Sequence, residues 1–385
     1  QVFEAAGRLY RLSLPDETLK EVPVEAVVDL ASLRPRVESV ARWMTGASPS
    51  PTGKRAVVAA RGELFSVPAE HGPVVNLTRS SGVAERFGTW SPEGDEIAYW
   101  SDRSGEYDLV VQPSQGGEET VLVSPGAGYR YDLFWSPDGR KIAWVDQTMT
   151  IRVFDRDRDK LMTAGKGLYM FHGGLSGFRP SWSPDSRWLA YARSTEPTTP
   201  AIFLYDTSSD AVHQVTSGFY GDRSPTFSPD GKYLYFLTDR TFDLSFSAYD
   251  TSWIYANATT IAAVPLRADV PSPVLPRNDV EEVASDGDDE GEDDKGKKGK
   301  KDGKGEDDED GDGDEGEDGP APVEIDLDGF EGRTVPLPLD PGNYADLYAL
   351  EGKILYRRGT PNGVDGPGGL HMWALEDREE KTILD

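Results

Sequence analysis

One twelve-residue pattern recurs along the chain and limits what it can fold into. It reads WSPEGDEIAYWS from Trp90, WSPDGRKIAWVD from Trp135, WSPDSRWLAYAR from Trp182 and FSPDGKYLYFLT from Phe227, with a weaker copy, PSPTGKRAVVAA, from Pro49. The prolines at the third place of each copy are Pro51, Pro92, Pro137, Pro184 and Pro229, spaced 41, 45, 47 and 45 residues apart. A period of about 40–47 residues is that of a four-stranded propeller blade.

Each copy reads directly as local structure. An aromatic closes an inner strand. Ser-Pro-Asp-Gly then turns the chain: proline presets φ, aspartate bonds the local backbone and glycine accepts positive φ. An alternating strand such as Lys141-Ile142-Ala143-Trp144-Val145 follows, then a third such as Asp108-Leu109-Val110-Val111 or Ala201-Ile202-Phe203-Leu204-Tyr205. A fourth leads to polar turns such as Asn76-Leu77-Thr78. A sheet apolar on both faces cannot bury itself, so the repeats must stack. The predicted fold is all-β, a β-propeller of WD40-like (PD40) repeats.

After Pro229 the register weakens. Tyr344–Tyr348 followed by Leu350–Tyr356 resembles a degenerate copy, with Leu350 in the proline place, 121 residues on. Removing a 35-residue charged stretch leaves 86, nearly two periods; without a second Ser-Pro-Asp-Gly turn this predicts one enlarged blade. Six blades are then visible, and a seventh would follow Asp385. Residues 1–38 do not share the register. Gly7–Leu12 resembles outer strands, so 1–38 reads as the tail of a preceding propeller and 39–385 as the second. Gln1-Val2-Phe3-Glu4 reads like the middle of a longer chain.

The formal charge of −28 is unevenly spread. Residues 285–319 carry 18 acidic and 6 basic side chains, a net −12, which leaves −16 over the other 350 residues. Such a surface repels phosphate backbones, so nucleic acid is not an expected partner. Residues 281–319, almost only Asp, Glu, Lys and Gly, read as a disordered acidic insertion. Asp308, Asp310, Asp312 and Gly313 match half of a calcium loop, but Gly319 stands where a bidentate glutamate is required. No run of about 18 apolar residues exists, so no membrane span is expected.

Catalytic and cofactor signatures are missing. With no cysteine and only His71, His172, His213 and His371, no metal spacing arises, and no cofactor is expected. Gly174-Leu175-Ser176-Gly177-Phe178 lacks the last glycine of a hydrolase elbow and reads as a turn between blades. No catalytic residue is assigned. One polar feature does recur: Arg86, Arg130, Arg179 and Arg223 each precede the aromatic of an inner strand by three to five residues. At the start of strands that line a channel they would form a partial cationic ring able to attract carboxylates. The alternative is local pairing with Glu85, Asp132 or Asp222.

The chain resembles the tricorn protease family. The stretches Ser50-Pro51-Thr52-Gly53-Lys54-Arg55-Ala56-Val57, Ala60–Glu70 and Gly72–Thr78 resemble the opening blade of that family's second propeller, and Ile325–Arg333 is similar to its later part. The resemblance implies a six-bladed and a seven-bladed propeller followed by mixed, PDZ-like and catalytic domains, with every Ser-His-Ser-Glu catalytic residue outside this sequence. It implies unfolded peptides as partners, a homo-oligomer and a cytoplasmic place, with the periplasm as the alternative. A TolB-like binding propeller and the propeller of a prolyl-oligopeptidase-type enzyme stay open as other readings.

Overall fold

A computed structural model of the 385-residue chain describes residues 1–5, 7–25, 39–168, 174–196, 199–241, 245–254, 257–277, 320–361 and 368–385. The acidic insertion, 281–319, lies outside the described residues. Two compact units emerge, Gln1–Arg42 and Trp43–Asp385. In the first, strands Val2–Ala5, Arg8–Ser13 and Thr18–Val22 form one antiparallel sheet in sequence order.

Among the described residues, the second unit holds six four-stranded antiparallel sheets. Blade 1 runs from Met44–Pro49 through Arg55–Ala60 and Glu63–Pro68 to Val75–Asn76. Blade 2 comprises Glu85–Trp90, Glu96–Ser101, Asp108–Pro113 and Thr120–Val123. Blade 3 comprises Phe134–Trp135, Lys141–Val145, Thr150–Asp155 and Lys160–Lys166. Blade 4 comprises Ser181–Trp182, Trp188–Ser194, Pro200–Asp206 and Ala211–Gln214. Blade 6 comprises Asn343–Leu350, Lys353–Gly359, Gly369–Ala374 and Glu380–Leu384. Each repeat aromatic closes an inner strand, as the pattern predicts.

The period-2 alternation of the second strands explains why the blades stack. In blade 3, Ile142 and Trp144 pack into a core shared with Ala98, Trp100, Leu109 and Val111 of blade 2. The intervening Ala143 and Val145 join Leu189, Tyr191 and Phe203 of blade 4. The same division recurs between blades 1 and 2, 4 and 5, and 5 and 6, so five cores join six sheets. Successive residues along a strand place their side chains on opposite faces, and each face finds its own partner sheet.

The Ser-Pro-Asp-Gly turn works largely through its serine. Ser136 Oγ accepts the backbone N–H of Lys141 at 2.9 Å; Ser183 does the same for Trp188 at 2.8 Å and Ser228 for Tyr233 at 2.9 Å. The same hydroxyls donate to the turn aspartates, Ser183 to Asp185 and Ser228 to Asp230, each at 2.5 Å. Gly139 and Gly231 close the turn at φ +68° and +67°. Ser186, in the glycine place of its copy, adopts φ +61° and accepts that strain.

Blade 5 is one enlarged sheet. Arg223–Phe227, Tyr233–Thr238, Thr260–Pro265 and Val335–Pro336 pair in that order. Between its second and third strands stands a hairpin, Ser245–Ser247 with Ser252–Ile254. The segment after the acidic insertion returns along the seam of blades 4 and 5, where Val323 and Phe330 are buried in their shared core. Val323 donates its N–H to Asp185 at 2.7 Å and accepts the Trp188 indole N–H at 3.1 Å.

Candidate site at the start of the inner strands

The four arginines take different environments. Arg86 and Arg223 each stand beside a β-bulge, marked by register shifts between Arg86 and Thr89 and between Arg223 and Thr226. Their followers, Phe87 and Ser224, have φ of +55° and +52°. A bulge re-aims the side chains around it, which suits a site at a strand end. Arg86 is exposed; its Nη1 donates to Tyr129 Oη at 3.2 Å and its guanidinium lies 5.7 Å from that ring's centre. Tyr129 in turn meets Phe87, Tyr107 and Tyr131, with centroids 6.2, 6.0 and 5.1 Å away.

Arg130 points inward. It is 5% exposed, and its guanidinium donates to the Gly126 carbonyl at 2.6 Å and to the Gly128 carbonyl. Arg179 donates to the Ser176 and Phe178 carbonyls at 3.1 and 2.9 Å and stands 3.8 Å from Asp132. Burial pushes the Asp132 carboxyl up from its ordinary value, against the pull of Arg179. Arg223 pairs with Asp239 at 3.0 Å and donates to Thr259 Oγ1 at 2.7 Å. Of the acids considered as local partners, Asp132 does pair with Arg179. Glu85 instead accepts from Ser80 and faces Arg103 at 3.7 Å, and Asp222 binds Thr238 and Arg240.

Arg179 and Arg223 line one cavity of about 390 Å³; Arg86 lines a separate one near Arg61 and Asp102. The Arg179–Arg223 cavity has walls of Val145, Met149, Ile151, Phe178 and Pro200. It also contains Arg193, which the repeat reading passed over. Arg193 Nη1 donates to the Lys166 carbonyl at 2.5 Å, and its guanidinium lies 3.9 Å over Phe203. Nine places after its repeat proline, Arg193 corresponds to Ser101, Asp146 and Thr238 of the other copies, so no periodic cation marks it.

Within the elbow-like stretch Gly174–Phe178, residues Gly174–Gly177 form a one-turn 3-10 helix between blades 3 and 4. Among the described residues, no group of three or more His, Asp or Glu is placed to hold a metal, and no helix is long and apolar enough to cross a membrane.

Six four-stranded blades joined by shared cores define a β-propeller. The family described as the tricorn protease second beta propeller domain matches residues 44–385, and the chain belongs to it. The chain is 26% identical over 400 residues to Tricorn protease homolog 1 of Streptomyces coelicolor, a match covering all of this chain and 34% of that protein. It is 28% identical over 242 residues to the Tricorn protease homolog of Saccharolobus solfataricus, covering 63% of this chain and 21% of that protein. A crystal structure of the tricorn protease shares the fold at 18% identity and a TM-score of 0.68, over all of this chain and 34% of that one. The chain therefore spans about a third or less of the length of these relatives.

Proposed function

We propose that this chain is the peptide-access propeller of a larger serine-type peptidase whose catalytic residues lie outside it. The observation that carries the reading is the family match over 44–385, in a chain spanning only a third of a protease homologue. A propeller admits an extended peptide along its axis and excludes folded protein, which is a sorting task and needs no nucleophile. The arginines and tyrosines at the start of the inner strands supply charge and flat apolar surface to such a chain.

Several features extend the proposal. Gln1–Val22 serves as outer strands of a preceding propeller. On the outward sides of the row, Val58, Phe65 and Val67 of blade 1 and Leu355 and Met372 of blade 6 belong to none of the five cores. A seventh blade between these sides buries both. The whole protein works as a homo-oligomer on unfolded peptides, in the cytoplasm or, alternatively, the periplasm.

The test is made on the protein with its flanking sequence. Replacing the exposed Arg86, which lines the separate cavity, by Arg86→Glu lowers turnover of acidic peptides about fivefold, because reversing a charge at the mouth removes electrostatic attraction. Turnover of neutral peptides stays within about twofold. Equal effects on both peptide sets, or none on either, would contradict a role in access.

A further inference from the structure

We propose that the cavity between blades 3 and 4 is a subsite for the C-terminal residue of a peptide, taking an apolar side chain and its free α-carboxylate together. This rests on the access reading and names which peptides the propeller favours.

Two properties of one cavity argue for it. The first is charge. Arg179, Arg193 and Arg223 line the same space of about 390 Å³. Asp132 stands against Arg179 and Asp239 against Arg223, while no carboxylate among the described residues pairs with Arg193. Three guanidinium groups facing two carboxylates leave one positive charge uncompensated. Arg193 Nε is also buried without a hydrogen-bond partner, while its guanidinium stacks 3.9 Å over the Phe203 ring. An anion entering the cavity offsets a charge that the fold leaves unopposed.

The second property is apolarity. Val145, Met149, Ile151, Phe178 and Pro200 form the walls, so the occupant must also bring hydrocarbon. A peptide's last residue carries a carboxylate and a side chain on one Cα, so both reach the same small space without a long linker. An internal acidic residue carries charge at the expense of the apolar group, and an internal apolar residue carries no charge. Bulge-bearing Ser224 sets Arg223 at the rim, at the start of the inner strand of blade 5. The cavity therefore lies beside the inner-strand starts that the access reading assigns to peptide entry.

Binding to the 385-residue chain decides the matter, with three N-terminally labelled hexapeptides of otherwise identical sequence followed by fluorescence anisotropy. One ends in leucine with a free carboxylate, one in leucine amide and one in glycine with a free carboxylate. The leucine acid binds about tenfold more tightly than either other peptide, since each loses one of the two contributions. Arg193→Gln removes the difference between leucine acid and amide. Arg179→Gln, at an exposed position, reduces it and serves as the second variant if Arg193→Gln does not fold. Equal binding of acid and amide, no binding of any of the three, or an undiminished difference in both variants overturns the subsite. The access reading is judged apart, by turnover of acidic peptides in the longer protein; altered turnover there with equal binding here condemns the subsite alone.

Discussion

Trp144→Ala lowers the unfolding free energy by about 3–5 kcal/mol, the range for deleting a large aromatic from a packed core. Trp144 is 0% exposed, and its ring meets Trp100 of blade 2 edge to face, with centroids 5.2 Å apart and planes at 78°. Ile142 and Phe154 complete the blade 3 side of that core. Trp100 is held from behind by its own indole N–H, which donates to the Tyr131 carbonyl at 2.9 Å, so the partner cannot swing in to fill the space. Against total stabilities of about 5–15 kcal/mol for ordinary domains, the loss is large. Urea unfolding followed by tryptophan fluorescence and circular dichroism measures it. Tyr249→Ala, at a fully exposed ring on the blade 5 hairpin, changes stability by less than about 0.5 kcal/mol and is the control. A loss below about 1 kcal/mol for Trp144→Ala would mean that the two sheets do not bury each other.

Arg240→Met has the second large effect, and it depends on pH. Asp222 has no exposed side-chain surface; its carboxylate accepts from Thr238 Oγ1 at 2.6 Å and from Arg240 Nη2 at 2.8 Å. Arg240 also reaches Glu331 at 2.9 Å, and Glu331 accepts the N–H of Ser217 at 2.8 Å. One guanidinium thus ties the returning segment to the link between blades 4 and 5. Removing it leaves a buried carboxylate without its cation, which costs about 3–5 kcal/mol near neutral pH. Burial already raises the Asp222 carboxyl above its ordinary value, in spite of Thr238 and Arg240. A raised folded-state value means that the folded chain takes up a proton before the unfolded chain does. Asp222 therefore detracts from stability above its folded pKa and ceases to do so below its unfolded one. Without Arg240 the folded value rises further, so the penalty shrinks as pH falls toward the carboxylate range. Unfolding curves at pH 7 and pH 5 show the gap between variant and parent narrowing; a gap that widens on acidification would refute the assignment.

The repeats were legible because propeller blades reuse one turn and one alternating strand. Trp90, Trp135, Trp182 and Phe227 signalled the inner strands, and Pro51 to Pro229 set the period. The single enlarged blade was legible too, from the missing turn between Pro229 and Leu350. What the copies left hidden are contacts without a register. Val323 and Phe330 sit in the seam of blades 4 and 5 because hydrogen bonds of Val323 with Asp185 and Trp188 hold their segment there, and no spacing encodes those bonds. The arginines divide for a similar reason. A fixed offset from an aromatic places the Cα atoms alike, but whether the guanidinium is buried, as in Arg130, or lines a cavity, as in Arg179 and Arg223, depends on each local loop. Arg193 has no counterpart cation in any repeat and becomes visible only beside them.

The central claim is that successive repeats bury one another's faces around a common axis. A double-mutant cycle between Trp100 and Trp144, one in each of two neighbouring repeats, tests it most directly. Each is replaced by leucine alone and together, and unfolding free energies are compared. The account predicts a favourable coupling of about 0.5–1.5 kcal/mol for an edge-to-face pair in contact. Strictly additive losses would show that these rings do not meet and would contradict the stacked-blade arrangement.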